Sequence, residues 1–324
     1  MLQSIIAFLT AFLICVIIGP VIIKLMQKLK FGQQVRDDGP ASHLKKQNVP
    51  TMGGIMMVIA IGICAFVFRF KGSALVATLA TVGYGLIGFL DDFIKIYKKR
   101  SLGLRAYQKI VGQFGIALIV AWYGYTTIGS EIFIPFIDNV ELGIWYIPFA
   151  MFVIIAIVNG VNLSDGLDGL ASKMTLVEGI TLCAIILLTG SALYNSEATN
   201  IAVLSASMSG ACLGFLRFNT YPARIFMGDT GALALGGCLA ICALYSKMAL
   251  LMPVMCIMLV VTCVSVILQV GSFKLRHGKR IFKMAPLHHH YELLGYHETT
   301  VTSMYTLITV VACAISLLIV AIKI

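Results

Sequence analysis

Charge is what this chain has least of: of its 324 residues only 12% are Asp, Glu, Lys or Arg, against the roughly 25% that a soluble domain carries. That poverty excludes a water-soluble globular protein. Acidic residues are the scarcer sign, 14 against 24 Lys and Arg, for a net charge of +10. Metal-type cysteine spacing is missing as well. Cys15, Cys64, Cys183, Cys212, Cys238, Cys242, Cys256, Cys263 and Cys313 all fall inside apolar segments, which leaves packing as their role. The first apolar segment lacks both a basic leader and a small-residue cleavage site, so it reads as a retained helix.

Hydrophobic residues fill the space, at 59% and a mean hydropathy of +0.95. Apolar stretches of about 18 residues or more are long enough to cross a bilayer as helices. Ten such spans are expected, at 4–23, 53–70, 72–90, 107–128, 145–160, 174–193, 199–216, 230–247, 249–272 and 301–322. The fold class is therefore all-α, a polytopic integral membrane protein built as one transmembrane domain over 1–324. Loops 24–52, 91–109, 161–173, 217–229 and 273–300 share one face and hold 20 of the 24 Lys and Arg residues. That asymmetry assigns them to the cytoplasm, with both termini outside. Topology, with an anionic lipid or polyanionic substrate, then accounts for the positive charge without any nucleic acid.

Polar residues on the two faces differ in kind. Glu131, Asp138, Glu141 and Glu197 are scattered along the outer loops, as solvated charges are. On the cytoplasmic face they gather in five blocks: SHLKKQNVPTMGG (42–54), GFLDDFIK (88–95), NGVNLSDGLDGLA (159–171), RFNTYPARIFMGDTGAL (217–233) and MAPLHHHYELLGYHE (284–298). Five blocks on one face suggest one site. Asp91 and Asp92 are adjacent carboxylates, which stay ionised together only if cations offset their repulsion. Asn159, Asn162, Asp165 and Asp168 recur every three residues, so their side chains point roughly together; Asn, Asp and Gly are also ordinary turn residues. Asp229 precedes Thr230-Gly231 and an apolar run, where a helix N-cap is the simplest role.

Carboxylate and amide oxygens without cysteine favour Mg²⁺ or Mn²⁺ over zinc, and Mg²⁺ joins one or two carboxylates to substrate phosphates. Lys45, Lys46 and Lys95 suit the same anionic substrate, and the chemistry this describes is phosphoryl transfer at a membrane surface. His288, His289 and His290 sit in a basic loop, where imidazoles donate hydrogen bonds to phosphate or simply shape a turn. Three consecutive side chains diverge, which argues against zinc.

In this order between ten apolar segments, PTMGG, GFLDDFIK, NGVNLSDGLDGLA, NTYPARIFMGDTGAL and APLHHHYE resemble the polyprenyl-phosphate N-acetylhexosamine-1-phosphate transferases. The PTMGG and HHH blocks point to the phospho-N-acetylmuramoyl-pentapeptide transferase branch. One departure is Asn48-Val49 before Pro50-Thr51, where Gly-Thr is expected. The resemblance implies transfer of phospho-MurNAc-pentapeptide from its UDP-linked precursor to undecaprenyl phosphate in the bacterial inner membrane, giving lipid I and UMP. It implies Mg²⁺ on Asp229, with Asp91, Asp92, Asp229 and His288 catalytic. By similarity Lys46, Gly166, Leu167, Asp168, Asn219 and Phe226 line the nucleotide pocket, the ring of Phe226 stacking on uracil. Lys95, Asn159, Asn162, Asp165, Gln269, His289 and His290 complete the expected substrate contacts. Asp91 acts on the lipid phosphate in a one-step path; a covalent phospho-aspartate is the alternative. A GlcNAc-1-phosphate transferase or a membrane transporter would use some of the same residues, and Gly210 to Gly214 permit close helix contact or a homodimer.

Overall fold

The structure, a computed structural model, describes every residue except 30, 33–45, 47–48, 99, 101, 137–138, 191–197 and 324. Lys45, Asn48, Asp138 and Glu197 lie outside the described residues. Without water, each backbone N–H and C=O needs a partner inside its own segment, so the apolar runs become helices. They are α1 (Leu2–Lys28), α2 (Gly54–Val67), α3 (Gly72–Tyr97), α4 (Ala106–Tyr123), α5 (Tyr146–Ser164), α6 (Leu170–Thr189), α7 (Ala198–Asn219), α8 (Gly228–Tyr245), α9 (Ile257–Leu275), the short α10 (Leu287–Leu293) and α11 (Glu298–Lys323).

Among the described residues nine helical segments are long and apolar enough to span a membrane, and α2 is a shorter apolar helix of 14 residues. All ten expected spans therefore have helical counterparts, in an all-α polytopic membrane protein. The stretch 249–272 is not one helix. Pro253 lies in a single turn, Met252–Met255, and the chain kinks at Cys256 (φ −101°, ψ 33°) before α9 begins. The strands β1 (Glu131–Ile132) and β2 (Val140–Glu141) pair antiparallel at the far end of the bundle, with Glu131 opposite Glu141. Nearby Glu131 forms an exposed 2.7 Å ion pair with Lys247, of the kind that adds little stability.

α7 and α8 form the axis: 89% of each span is buried, against 22% for α1 and 28% for α4 and α9. The peripheral helices turn apolar side chains outward, as a lipid-facing ring does. α1 lies along α7, α3 and α5 along α8, and α11 along α6. Gly210 and Gly214 make the α1–α7 approach possible, since a Cβ at either would run into the Phe8 and Phe12 carbonyl oxygens of α1. This small-residue spacing is thus used within the chain. Eight of the nine cysteines are buried and none is in a disulfide, consistent with packing.

Candidate active site

The site forms at one end of the bundle, where α3 ends and α4, α8 and α11 begin. Gly88 lets it close. A Cβ there would meet the Asp229 carbonyl, so only glycine allows α3 to lie against the first turn of α8. One turn further on, Asp91 and Asp92 are 2% and 3% exposed, and their carboxylates lie with that of Asp229 so that ligand oxygens of all three fall within 4.8 Å of one another. Among the described residues this is the one group of His, Cys, Asp or Glu arranged to hold a metal ion. Asp229 is not the N-cap of α8; Met227 is, and Asp229 sits inside the first turn.

The three carboxylates differ in what they hold. Asp92 accepts from the Asp229 N–H at 3.2 Å, the Thr230 N–H at 3.0 Å and the Thr230 hydroxyl at 2.8 Å, so it fastens the N-terminus of α8, where a negative group is favoured. Asp91 accepts the Leu104 N–H on Oδ1 at 2.9 Å and pairs with Lys95 on Oδ2 at 2.6 Å. Asp229 receives Lys109 at 2.6 Å and Lys95 at 3.0 Å on one oxygen, and the Asn162 amide at 2.8 Å on the other. At an effective dielectric of about 20, two carboxylates about 4.8 Å apart repel by about 3–4 kcal/mol, while each close lysine contact returns about 5 kcal/mol. The two ammoniums, not solvent, keep three carboxylates together.

The NGVNLSDGLD stretch is divided by the end of α5. Asn159 is one turn deeper than the site, pairing with Gln113 at 2.8 Å and with the Ile155 carbonyl; the structure does not bring it into the cluster. Asn162 reaches Asp229. Asp165 caps α5 and receives the Gly228 N–H; burial first, then the negative charges of Asp229, Asp92 and Asp168, push its carboxyl well above the usual range. Asp168 faces a second cluster. Its Oδ1 takes Lys46 at 2.7 Å and its Oδ2 the Ala223 N–H at 2.8 Å. The Lys46 ammonium lies 5.9 Å from the centre of the Phe226 ring and 2.6 Å from Glu298. Burial would lower the pKa of Lys46, but its hydrogen bonds to Asp168 and Glu298 and their charges outweigh that and raise it. Asn219 ties the halves of this pocket together, accepting from the Gly169 N–H at 3.1 Å and donating to the Ile225 carbonyl at 3.0 Å. Gly166 and the buried Leu167 form the turn between the two clusters.

The histidine triplet is on a helix, α10, not in a loop. His288 is fully buried and packs on His289 with ring centres 4.2 Å apart, and a Cβ at Gly166 would collide with His288 Nε2. His289 Nδ1 is 2.8 Å from Glu292. His290 turns away and accepts the Lys283 N–H at 3.1 Å. His290 thus parts from the other two rings, and the triplet forms no metal cluster. Gln269 is not brought into the site either: its amide accepts from the Ile281 and Phe282 N–H groups and donates to the Phe282 carbonyl, clasping the loop before α10. Two residues went unread in the sequence. Lys109 was one basic residue among several in its loop, and Glu298 was the last letter of a quoted block, just ahead of the expected span 301–322.

Residues 74–247, which contain the aspartate cluster, match the family described as Glycosyl transferase family 4. That defines the class, a multi-pass membrane glycosyl transferase. Over nearly its whole length the chain is also similar to proteins named phospho-N-acetylmuramoyl-pentapeptide-transferase. It is 49% identical to one from Caldanaerobacter subterraneus subsp. tengcongensis, covering 98% of each chain. It is 50% identical to one from Clostridioides difficile, covering 96% of this chain and 95% of the relative, and 46% identical to one from Clostridium perfringens, covering 97% and 96%. The chain belongs to the phospho-N-acetylmuramoyl-pentapeptide transferase family.

Proposed function

We propose that the protein transfers phospho-MurNAc-pentapeptide from UDP-MurNAc-pentapeptide to undecaprenyl phosphate, producing lipid I and UMP at the cytoplasmic face of a bacterial inner membrane. The observation that carries this reading is the pairing of two centres at one end of the bundle. A carboxylate–lysine cluster suits diphosphate chemistry, and a Lys46–Asp168–Phe226 pocket beside it suits a nucleoside. A soluble nucleotide and a lipid-borne phosphate meet only where a helix end reaches water. An ion-coupled transporter would keep its carboxylates near the bilayer midplane, and these lie at helix ends.

An oxygen of the lipid phosphate attacks the β-phosphorus of the nucleotide; the bond from that phosphorus to the bridging oxygen breaks, and UMP leaves with the electron pair. Asp91, held by Leu104 and Lys95, orients the incoming phosphate. Lys95 and Lys109 offset its repulsion from the diphosphate. Asp92 keeps the α8 N-terminus and hence Asp229 in place. The donor set fits Mg²⁺, since all three groups offer hard oxygen ligands; with Asp92 Oδ2 taken by Thr230 and its Oδ1 by the Asp229 N–H, Asp229 together with Asp91 would hold the ion. When bound, Mg²⁺ supplies charge neutralisation for the diphosphate. Asn162 steadies Asp229, and His288 fixes the turn at Gly166. Phe226 offers its half-buried ring to the base. The test is UMP release from UDP-MurNAc-pentapeptide with and without undecaprenyl phosphate. Release that depends on the lipid and fails with UDP-GlcNAc is the expected result; equal turnover of UDP-GlcNAc contradicts the substrate assignment.

A further inference from the structure

We infer that Glu298, in the first turn of α11, is a positioning residue that sets the nucleotide pocket through Lys46 and the Asp168 peptide. The inference rests on the reading of that pocket as the nucleotide site. One oxygen, Glu298 Oε1, accepts from Lys46 Nζ at 2.6 Å and from the Asp168 backbone N–H at 2.6 Å. The Leu167 carbonyl, at the other end of that same peptide, accepts the Leu170 N–H at 3.1 Å. Both sides of the peptide are therefore pinned, and the direction in which Asp168 presents its carboxylate is set from α11.

The arrangement is more than an anchor for the helix. α11 is already held by packing along α6 and by buried apolar residues in its first turns, Val301 and Tyr305 being 1% and 0% exposed, and an N-terminal carboxylate serving only the helix end would sit in water. Glu298 is 6% exposed and spends one oxygen on two pocket groups. Lys46 is thereby shared between two carboxylates beside the Phe226 ring, and the Asp168 Oδ2 is left to the Ala223 N–H. Four separate stretches of chain meet there, at residues 46, 167–169, 223–226 and 298. Removing the charge of Glu298 while keeping its shape leaves Asp168 as the one carboxylate balancing Lys46 and weakens the hold on the peptide N–H, since a neutral amide oxygen accepts less strongly than a carboxylate, which disturbs nucleotide binding before chemistry.

The test compares Glu298→Gln, Glu298→Asp and Lys46→Met with the parent by steady-state kinetics, UMP binding calorimetry and thermal unfolding. Glu298→Gln should raise both KM for UDP-MurNAc-pentapeptide and Kd for UMP about tenfold or more, with KM for undecaprenyl phosphate unchanged and kcat within about threefold. Glu298→Asp should recover part of the UMP affinity. Glu298→Gln on a Lys46→Met background should cost less than it does alone, because the two act through one contact. A Glu298→Gln enzyme with parental KM and UMP affinity, while Lys46→Met loses UMP binding, overturns the inference and leaves the pocket standing. Parental UMP binding in both variants overturns the pocket as well. A common fall in kcat, both substrate affinities and melting temperature that Glu298→Asp does not repair makes Glu298 merely structural and equally overturns it.

Discussion

Replacing Lys109 by methionine tests the electrostatics of the site most directly, because it removes one charge and keeps most of the aliphatic stem. Lys109 Nζ is 2.6 Å from Asp229 and 3.7 Å from Asp91, with side chains 18%, 16% and 3% exposed. Truncating one partner of a buried ion pair costs about 3–5 kcal/mol. Partial access of water to Lys109 and Asp229 reduces this to about 2–3 kcal/mol. Lys95 stays, 2.6 Å from Asp91 and 3.0 Å from Asp229, so the cluster weakens without dispersing. If the lost energy falls on the transition state, where charge on the diphosphate is greatest, transfer slows by about 30- to 150-fold. The carboxylates, freed of one ammonium, should also take up Mg²⁺ at lower concentration. The assay is UMP release at saturating substrates over a MgCl₂ series, with Lys109→Arg as the charge-keeping control, expected to be intermediate because a planar fork replaces a point charge. A Lys109→Met enzyme within about threefold of the parent, with an unshifted Mg²⁺ dependence, refutes the reasoning.

Asp229→Asn should abolish transfer, by about a thousandfold or more, and leave the protein folded, since volume is kept and one charge is lost; near-normal turnover at saturating Mg²⁺ contradicts the metal assignment. In a cysteine-free background, a cysteine at Lys279 should resist an impermeant thiol reagent applied to intact cells and one at Asn139 should react; labelling of position 279 from outside reverses the orientation. Lipid-free enzyme mixed with UDP-MurNAc-pentapeptide should give no stoichiometric UMP burst in rapid quench, whereas a burst with a mass adduct on Asp91, Asp92 or Asp229 establishes the covalent path. Gln269→Ala should speed tryptic cleavage at Lys279 and Arg280 about tenfold without altering UMP affinity, as a loop clasp requires; a large change in UMP affinity places Gln269 in the pocket instead.

What the sequence made legible follows the physics of each feature. Helical spans can be read from length and hydropathy because a bilayer allows a lone segment no alternative way to satisfy its backbone, and so each expected span has its helix among the described residues. The break at Cys256 was not, since Pro253 in an apolar run bends a helix only where the neighbouring packing permits it. Asp91, Asp92 and Asp229 stood out because carboxylates beside apolar runs are costly unless something compensates them. Their compensation was invisible. Lys109 looks like any other cation in a basic loop, and only the fold of residues 102–105, with Leu104 donating to Asp91, brings it onto Asp229. Asn159 misled by periodicity: a spacing of three keeps residues together on a helix, but α5 ends at Ser164, so the last two members of the series project from a turn and the first stays below the site. Glu298 was hidden for the opposite reason, because a carboxylate in the first turn of a helix already has a sufficient local explanation. A residue with a good local reason to exist is where sequence reading stops looking, and here that residue reaches across the bundle end to hold Lys46 and the Asp168 peptide.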